Sequence, residues 1–456
     1  MTPAPLRGAR ARQRLRRSAE RILDEALAAA EPGQLVRRHL VRRRGQLEVL
    51  GLRHDPARGR VFVLAAGKAA SRMASEAESV LGPWVAGGLV VDTSDAQPLD
   101  RLPRRLAGHP VPDARGLRAA REVERLAGSL ERDDLLLVLL SGGASALLPA
   151  PVHGLTLRDK ACLTSRLMAA GASIHELNAV RKHLSRLKGG GLARLAAPAR
   201  VACLALSDVV GDDLATIASG PTVPDTTRFA DALEIVKRRL DRSRIPARAL
   251  AILESGVRGE QPETAKPGDP WLRRARTRVI GSNRLSVEAA ARTARRLGFR
   301  PRILTTSLEG EAREVAAALV AILRECVEHD RPVAPPVCLI AGGETTVTVL
   351  GSGHGGRNQE IAAAAAIALD GFAAPAVVAS LATDGVDGRS DAAGGLADDT
   401  SESRAREQGV AAAATFLAAS DSRNYLASLD DLIVLGPTGT NVMDVVVLLA
   451  GSAARL

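Results

Sequence analysis

Short aliphatic runs alternate along this chain with longer Ala/Arg-rich stretches whose apolar positions recur every three or four residues. Val61–Ala66, Leu135–Leu140, Val201–Leu206 and the shorter Val279–Ile280 are such runs. Each ends in a glycine or polar turn: Gly67-Lys68, Ser141, Ser207-Asp208 and Gly281-Ser282-Asn283. A strand buried on both faces reads as an unbroken aliphatic run, and helices between such strands predict βαβ units with parallel sheets. In these sheets ligands gather beyond the carboxyl ends of the strands, where the turns lie. In the second half, Arg300–Thr305, Val337–Ala341, Thr345–Leu350 and Ala376–Ala382 read as strands, and Glu311–His329 and Asn358–Asp370 as helices. Near the start the periodicity predicts a helix over 10–30 and a second over 34–50.

The segment Glu254–Asp269, ESGVRGEQPETAKPGD, is rich in Gly, Pro and charge and lacks apolar periodicity, so it reads as a linker. The resulting expectation is an α/β protein of two domains with largely parallel sheets. Residues 1–253 would form the first domain, 254–271 the linker and 272–456 the second domain. A chain of 456 residues is long enough for two such cores.

Composition narrows the function classes. Aromatics are 2% of residues, so the cores must be built from Ala, Val, Leu and Ile. The formal charge of +11 sits almost wholly in residues 1–60, which hold 15 Arg, no Lys and 6 acidic residues. That distribution argues against a polynucleotide groove along the protein, and a solvated Arg-rich helix accounts for it. A transit peptide is the alternative, but the periodicity continues without a cleavage-like break. Cys162, Cys203, Cys326 and Cys338 are scattered, with no C-x-x-C pair, as free thiols in a reducing compartment would be. No apolar run approaches the roughly 20 residues that span a bilayer. The expectation is a cytoplasmic protein with no nucleic-acid or membrane partner.

The turns carry the candidate chemistry. In Ser141-Gly142-Gly143-Ala144-Ser145 the glycines let backbone N–H groups crowd a ligand, and Ser141 and Ser145 add hydroxyls near a helix start. A plain strand-to-helix connection is the ordinary alternative. Gly67 permits a tight turn and sets Lys68 at a helix N-terminus, where a cation opposes the dipole unless a phosphate binds. In Asn178–Gly191, Arg181, Ser185 and Lys188 share a helical face that could hold a carboxylate or phosphate; alone it reads as a solvated basic helix. Asp208 stands at a strand tip, suited to accept a proton or hold Mg²⁺, while Asp212 and Asp213 suit helix capping as well.

In the second half, Gly342-Gly343-Glu344-Thr345-Thr346 precedes a run with four glycines in the six residues 351–356, which delivers Arg357 and Asn358 to a helix start. Glycine at that density costs backbone entropy, which points to a ligand at Gly355 and Gly356. The planar fork of Arg357 matches phosphate oxygens. Asp384-Gly385-Val386-Asp387-Gly388 is spaced like a cation loop but lacks the closing glutamate of an EF-hand; a solvated turn is the alternative. No G-x-x-x-x-G-K-[ST] loop occurs. Gly351, Gly353 and Gly356 fit the letters G-x-G-x-x-G, but the following strand Ala376–Ala382 has no carboxylate for a ribose.

Ten motifs in a fixed order complete the picture: GKAASRMA (67–74), GHPVPD (108–113), LSGGASALL (140–148), VRKHLSRLKGG (180–190), LSDVVGDDLATIASGPTVPD (206–225), GSNR (281–284), GGETTVTV (342–349), GGRNQE (355–360), ATDGVDG (382–388) and GPTGTNV (436–442). Over residues 60–445 the chain resembles the glycerate 2-kinase family. The resemblance implies ATP-dependent phosphorylation of D-glycerate at its 2-hydroxyl with a divalent cation, Mg²⁺. It implies a Rossmann-like N-terminal domain, a smaller C-terminal α/β domain and an active site in the cleft. Carried onto this sequence, the family's motif residues fall on Lys68, Asp208, Arg357 and Asp384, with Asp208 and Asp384 as candidate metal ligands. Ala65, Val386 and Met443 depart from the usual Gly, Thr and Asn. A nicotinamide-dependent hydroxypyruvate reductase and a non-catalytic nucleotide-binding regulator remain the alternative functions. The oligomeric state stays open, with a homodimer as one outcome.

Overall fold

The aliphatic runs become strands. The computed structural model describes residues 4–94 and 98–451 and divides into two units, Pro32–Gly281 and Met1–Glu31 with Ser282–Leu456.

In the unit Pro32–Gly281, β1 (Leu40–Arg43), β2 (Gln46–Val49) and β3 (Leu52–His54) form a small antiparallel sheet. The main strands are β4 (Val61–Ala66), β5 (Val85–Asp92), β6 (Arg104–Leu106), β7 (Leu135–Leu140), β8 (Arg200–Leu206) and β9 (Ala275–Gly281). They pair in parallel in the order β6-β5-β4-β7-β8-β9. By position in the sheet this is 3-2-1-4-5-6, the Rossmann order, and its switch point lies between β4 and β7. All six residues of β7 are buried, as its unbroken aliphatic run requires. A separate helical layer closes around Leu163, Leu167, Val180, Phe229, Val236 and Leu253.

The other unit holds β10 (Arg300–Leu308), β11 (Val337–Gly343), β12 (Ala376–Ala382), β13 (Gly394–Asp398), β14 (Leu432–Ile433) and β15 (Asp444–Ala450). Their order is β10-β11-β15-β12-β13-β14. Only β10 and β11 are parallel; the other pairs run antiparallel. The expectation of a largely parallel second sheet is thus corrected to a mixed one. The cause is β15, which enters between β11 and β12, antiparallel to both and buried along its whole length.

Four further expectations change. The helix expected over 34–50 stops at His39, because the two-residue turns Arg44-Gly45 and Leu50-Gly51 have left-handed φ at both positions and fold residues 40–54 into hairpins. The expected strand Thr345–Leu350 is absent; only Thr346 bridges to Glu311, and Val349 and Leu350 are exposed. The expected linker 254–271 is packed within the first unit. Ala265 is buried and pairs through its backbone with Asp225 and Gly189, while Thr264 Oγ1 donates to Asp225 at 3.0 Å. The boundary falls after β9 instead, because Ala275–Gly281 pairs with β8.

Finally, the first helix, Ala4–Ala29, belongs to the second unit rather than to the first 253 residues. Its stripe Leu15, Ala19, Ile22, Leu23 and Ala26 packs with Val287, Ala290, Ala294 and the sheet residues Val445 and Val447. Among the described residues no helix is long and apolar enough to cross a membrane.

Arg16 fixes that helix electrostatically. Its guanidinium meets Asp398 at 2.5 Å and also Asp431, whose carboxylates are 4% and 0% exposed. Arg16→Ala leaves both short of a partner. We expect a loss of about 3 kcal/mol in denaturant unfolding, at the low end for a broken buried pair because Arg404 still holds Asp431. A loss under about 1 kcal/mol would mean that the helix is held by its apolar stripe alone.

Candidate functional site

At the switch point two turns are laced together by their backbones. Lys68 N donates to the Gly142 carbonyl at 2.9 Å, and Ser141 N to the Ala66 carbonyl at 3.0 Å. The Ser141 hydroxyl accepts from Ala69 N at 3.0 Å, at the start of the helix Ala70–Leu81. Asp92, at the end of β5, takes the Ser71 N–H of the same helix at 2.9 Å. Ser141 therefore steadies the start of that helix through its oxygen, and its O–H remains available to donate.

Glycine is required here by contact. Gly67 has φ +126°, and a Cβ on it would lie 2.2 Å from the Ser141 hydroxyl and 2.4 Å from the Ser141 carbonyl oxygen. A Cβ on Gly142 would lie 2.0 Å from the Asp208 carboxylate. One on Gly143 would meet the His109 ring at 2.9 Å and the Lys68 side chain at 3.6 Å. Lys68, His109, the Ser141 turn and Asp208 thus surround one point at the carboxyl ends of β4, β7 and β8. The helix after the turn, Ala144–Leu147, has only four residues. The dipole expected to assist an anion there is correspondingly slight.

Beside this turn lies a second group. Lys188 donates to the Ser145 carbonyl at 2.8 Å and to its hydroxyl, and the Ser145 hydroxyl meets that of Ser219 at 3.1 Å. The helix that was to carry Arg181, Ser185 and Lys188 on one face ends at His183, so Ser185 and Lys188 come from the turn beyond it. Asp213 accepts from Ala215 N and the Thr216 hydroxyl and so closes a local turn.

In the other unit Arg357 opens the helix Arg357–Leu369. Its guanidinium is bidentate on Asp444, at 2.5 and 2.9 Å, and meets Glu344 at 3.0 Å. Burial is the largest single influence on Arg357 and works against its charge, but the bond to Asp444 together with the charges of Asp444, Glu344 and Asp387 raises the pKa. Burial pushes the Asp444 carboxyl up to about 6, with Arg357 pulling it back. Asn358 is fully buried and is consumed internally, donating to Asp387 at 3.2 Å and accepting from Ser380 at 2.5 Å. Asp387 caps the same helix through the N–H groups of Asn358 and Gln359. That makes Asp387 a structural member of its loop, not a cation ligand.

The glycine density also has a packing cause. A Cβ on Gly351, Gly353, Gly355 or Gly356 would meet Ala419, Asp421, Ser422 or Asp387 at 2.4 Å or less. Gly343 stands 2.2 Å from the Leu308 backbone by the same measure, and Thr345 is buried with its hydroxyl unpartnered. Asp384 accepts from Val386 N at 3.2 Å. Among the described residues no three His, Cys, Asp or Glu side chains converge as a metal cluster.

Reasoning from single residues misses His109. It follows the three-residue edge strand β6, too short to stand out as an aliphatic run, and only the pairing of β6 with β5 brings it to the site.

Residues 18–254 match the family described as a domain of unknown function (DUF4147), and residues 337–444 match the MOFRL family. A Pyrococcus horikoshii protein named glycerate 2-kinase is 39% identical over 434 residues, covering 95% of this chain and 96% of its own. A Thermotoga maritima protein named D-glycerate 2-kinase is 41% identical over 390 residues, covering 85% and 90%. The crystal structure of a glycerate kinase from Thermotoga maritima superposes with a TM-score of 0.84 at 38% identity, covering 96% of this chain and 99% of that one.

Burial, aided by the nearby Lys68 charge, lowers the His109 pKa below its usual 6.5. The ring is therefore neutral at pH 7. We expect its NMR titration midpoint below 6.5 and a return toward 6.5 in Lys68→Met. A midpoint unmoved by that substitution would separate the two side chains.

Proposed function

The chain belongs to the glycerate 2-kinase family, and from that membership we propose that it transfers the γ-phosphoryl group of ATP to the 2-hydroxyl of D-glycerate, giving 2-phosphoglycerate and ADP. The observation that carries the site assignment is the gathering of Lys68, His109 and Asp208 around the Ser141 turn, at the switch point of a parallel sheet.

Phosphoryl transfer asks a protein for positioning and for neutralisation of charge on the phosphoryl oxygens. Asp208, held against Gly142, orients the attacking hydroxyl and accepts its proton. Lys68 offsets the charge of the transferred group. The neutral His109 ring adds a hydrogen-bonding partner without adding charge. Gly67, Gly142 and Gly143 bring backbone close to the reacting atoms.

In the other unit we assign Arg357, Glu344, Gly343, Thr345 and Asp384 to the nucleotide. Arg357 keeps its buried pair with Asp444. Its contact with Glu344, whose side chain is 45% exposed, is the one that a phosphate oxygen replaces, since an exposed pair is worth about 1 kcal/mol or less. Asp384 would offer a carboxylate to the Mg²⁺ that accompanies the nucleotide, and Asp208 is the candidate for a cation in its own unit; Mg²⁺ takes one or two carboxylates and completes its shell with phosphate and water oxygens. The cation, when bound, neutralises charge on the β- and γ-phosphates. Four cysteines with no disulfide among them fit a reducing, cytoplasmic setting.

The reductase reading rests on the glycine run at 351–356 and on an incomplete dinucleotide fingerprint. The glycine run that resembles a dinucleotide loop is explained by contacts within its own unit.

We expect ADP release that depends on added D-glycerate, and phosphorus NMR of the product should give the 2-phosphate. Asp208→Asn keeps the shape of the site and removes the base. Its kcat should fall about 100-fold or more with little change in the KM for ATP. A fall below tenfold would remove Asp208 from the proton transfer.

A further inference from the structure

Beside the Ser141 turn lies a cluster composed of donors. Lys188 is 4% exposed and Lys160 7%. Lys160, on the helix Leu157–Ala169, donates to the Leu184 carbonyl at 3.2 Å, and Lys188 is tied to Ser145. The Arg181 charge acts on both amines, and Lys160 acts in turn on Lys188. No carboxylate among the described residues pairs with any of the three. The neighbouring cations are provided for, Arg186 by a bidentate bond to Glu124 at 2.6 and 2.8 Å and Lys182 by Asp225 at 3.3 Å. Two neutral donors in the same segment are also unmatched: the Ser185 hydroxyl and the Asn178 amide nitrogen are buried with no partner.

Buried cations without an anion are costly, and like charges side by side add to the cost. Burial and this repulsion push the Lys160 amine down to about 7 and the Lys188 amine well below its usual range. A fold that keeps three cations and two orphan donors together, with no carboxylate among them, is shaped for an oxyanion.

We propose that Lys160, Arg181 and Lys188 receive the carboxylate of the hydroxy-acid substrate, with Ser185 and Asn178 as neutral donors beside it. The proposal rests on the glycerate-kinase reading and goes beyond it by locating the acid end of the substrate and by adding Lys160.

Depth selects a carboxylate over a nucleotide phosphate. Two of the three cations are almost wholly buried, which a three-carbon acid can reach and a metal-bound triphosphate cannot without stripping its shell. The turn supplies the register. Ser145, which holds Lys188, lies three residues from Gly142, against which the Asp208 carboxylate rests. The carboxylate and the adjacent 2-hydroxyl of glycerate would then lie along one five-residue turn, the hydroxyl toward Asp208.

Lys160→Met and Lys188→Met test this in the full-length protein. Each should raise the KM for D-glycerate tenfold or more while leaving the KM for ATP within about twofold. D-Glycerate alone, without nucleotide, should raise the Tm of the unaltered protein and not that of either variant. Replacing a buried cation by a similar apolar volume should leave the ligand-free Tm unchanged or higher. If either variant does not fold, Arg181→Met, at the partly exposed edge, carries the same expectation.

A rise in the KM for ATP instead would make the cluster a phosphate site. No change in either KM, with D-glycerate still stabilising the variants, would leave the cluster satisfied by water alone. Both results overturn the proposal. A protein that binds D-glycerate through these residues but releases no ADP would overturn the kinase reading and leave the carboxylate pocket standing.

Discussion

No side chain fits at Gly142, because the Asp208 carboxylate occupies the place where its Cβ would be. The same holds at Gly67, where the Ser141 hydroxyl and carbonyl fill the space. These approaches bring the turns that follow β4, β7 and β8 into contact with one another. The hydrogen bonds from Lys68 N to Gly142 and from Ala69 N to Ser141 then lock the arrangement. Lys68, His109 and Asp208 are held at one point because the backbone beneath them cannot open. Preorganisation of that kind is what phosphoryl transfer demands of a protein, since little covalent chemistry is left for it to perform.

The other unit reaches rigidity by a different route. Its charged groups are buried and paired: Arg357 with Asp444, Arg313 with Glu360 at 2.8 Å, and Asp387 with the first N–H groups of the helix Arg357–Leu369. Such pairs add little net stability, yet breaking one is costly, so they fix geometry more than they raise stability. Asp444 illustrates the balance. It is buried enough for its pKa to rise to about 6 despite a bidentate guanidinium, and it sits where β15 begins, the strand that makes this sheet mixed.

The cation cluster stands apart from both. Elsewhere the buried carboxylates meet a guanidinium, an ammonium, or N–H and hydroxyl groups of the chain; at Lys160, Arg181 and Lys188 no carboxylate among the described residues answers the cations. Stability surrendered at one place in an otherwise satisfied structure is the usual signature of a group retained for a ligand.

The sequence by itself determined the elements whose signal is local. Val61–Ala66 and Leu135–Leu140 begin and end as strands where the apolar run does, because burial on both faces leaves no polar position to blur the boundary. Ordered short motifs also fixed the family and the candidate residues Lys68, Asp208, Arg357 and Asp384. Tertiary structure alone decided what depends on distant partners. The glycines at 351–356 read as a ligand loop until Ala419, Asp421, Ser422 and Asp387 came to lie against them. The first helix sits with the last third of the chain because its apolar stripe matches a surface more than 250 residues away, and no local pattern encodes which surface that will be. Lys160 looks like an ordinary solvated lysine in sequence, and Lys188 reads there as part of a solvated basic helix or of an anion-holding face; only packing removes the water and the counter-charge from both.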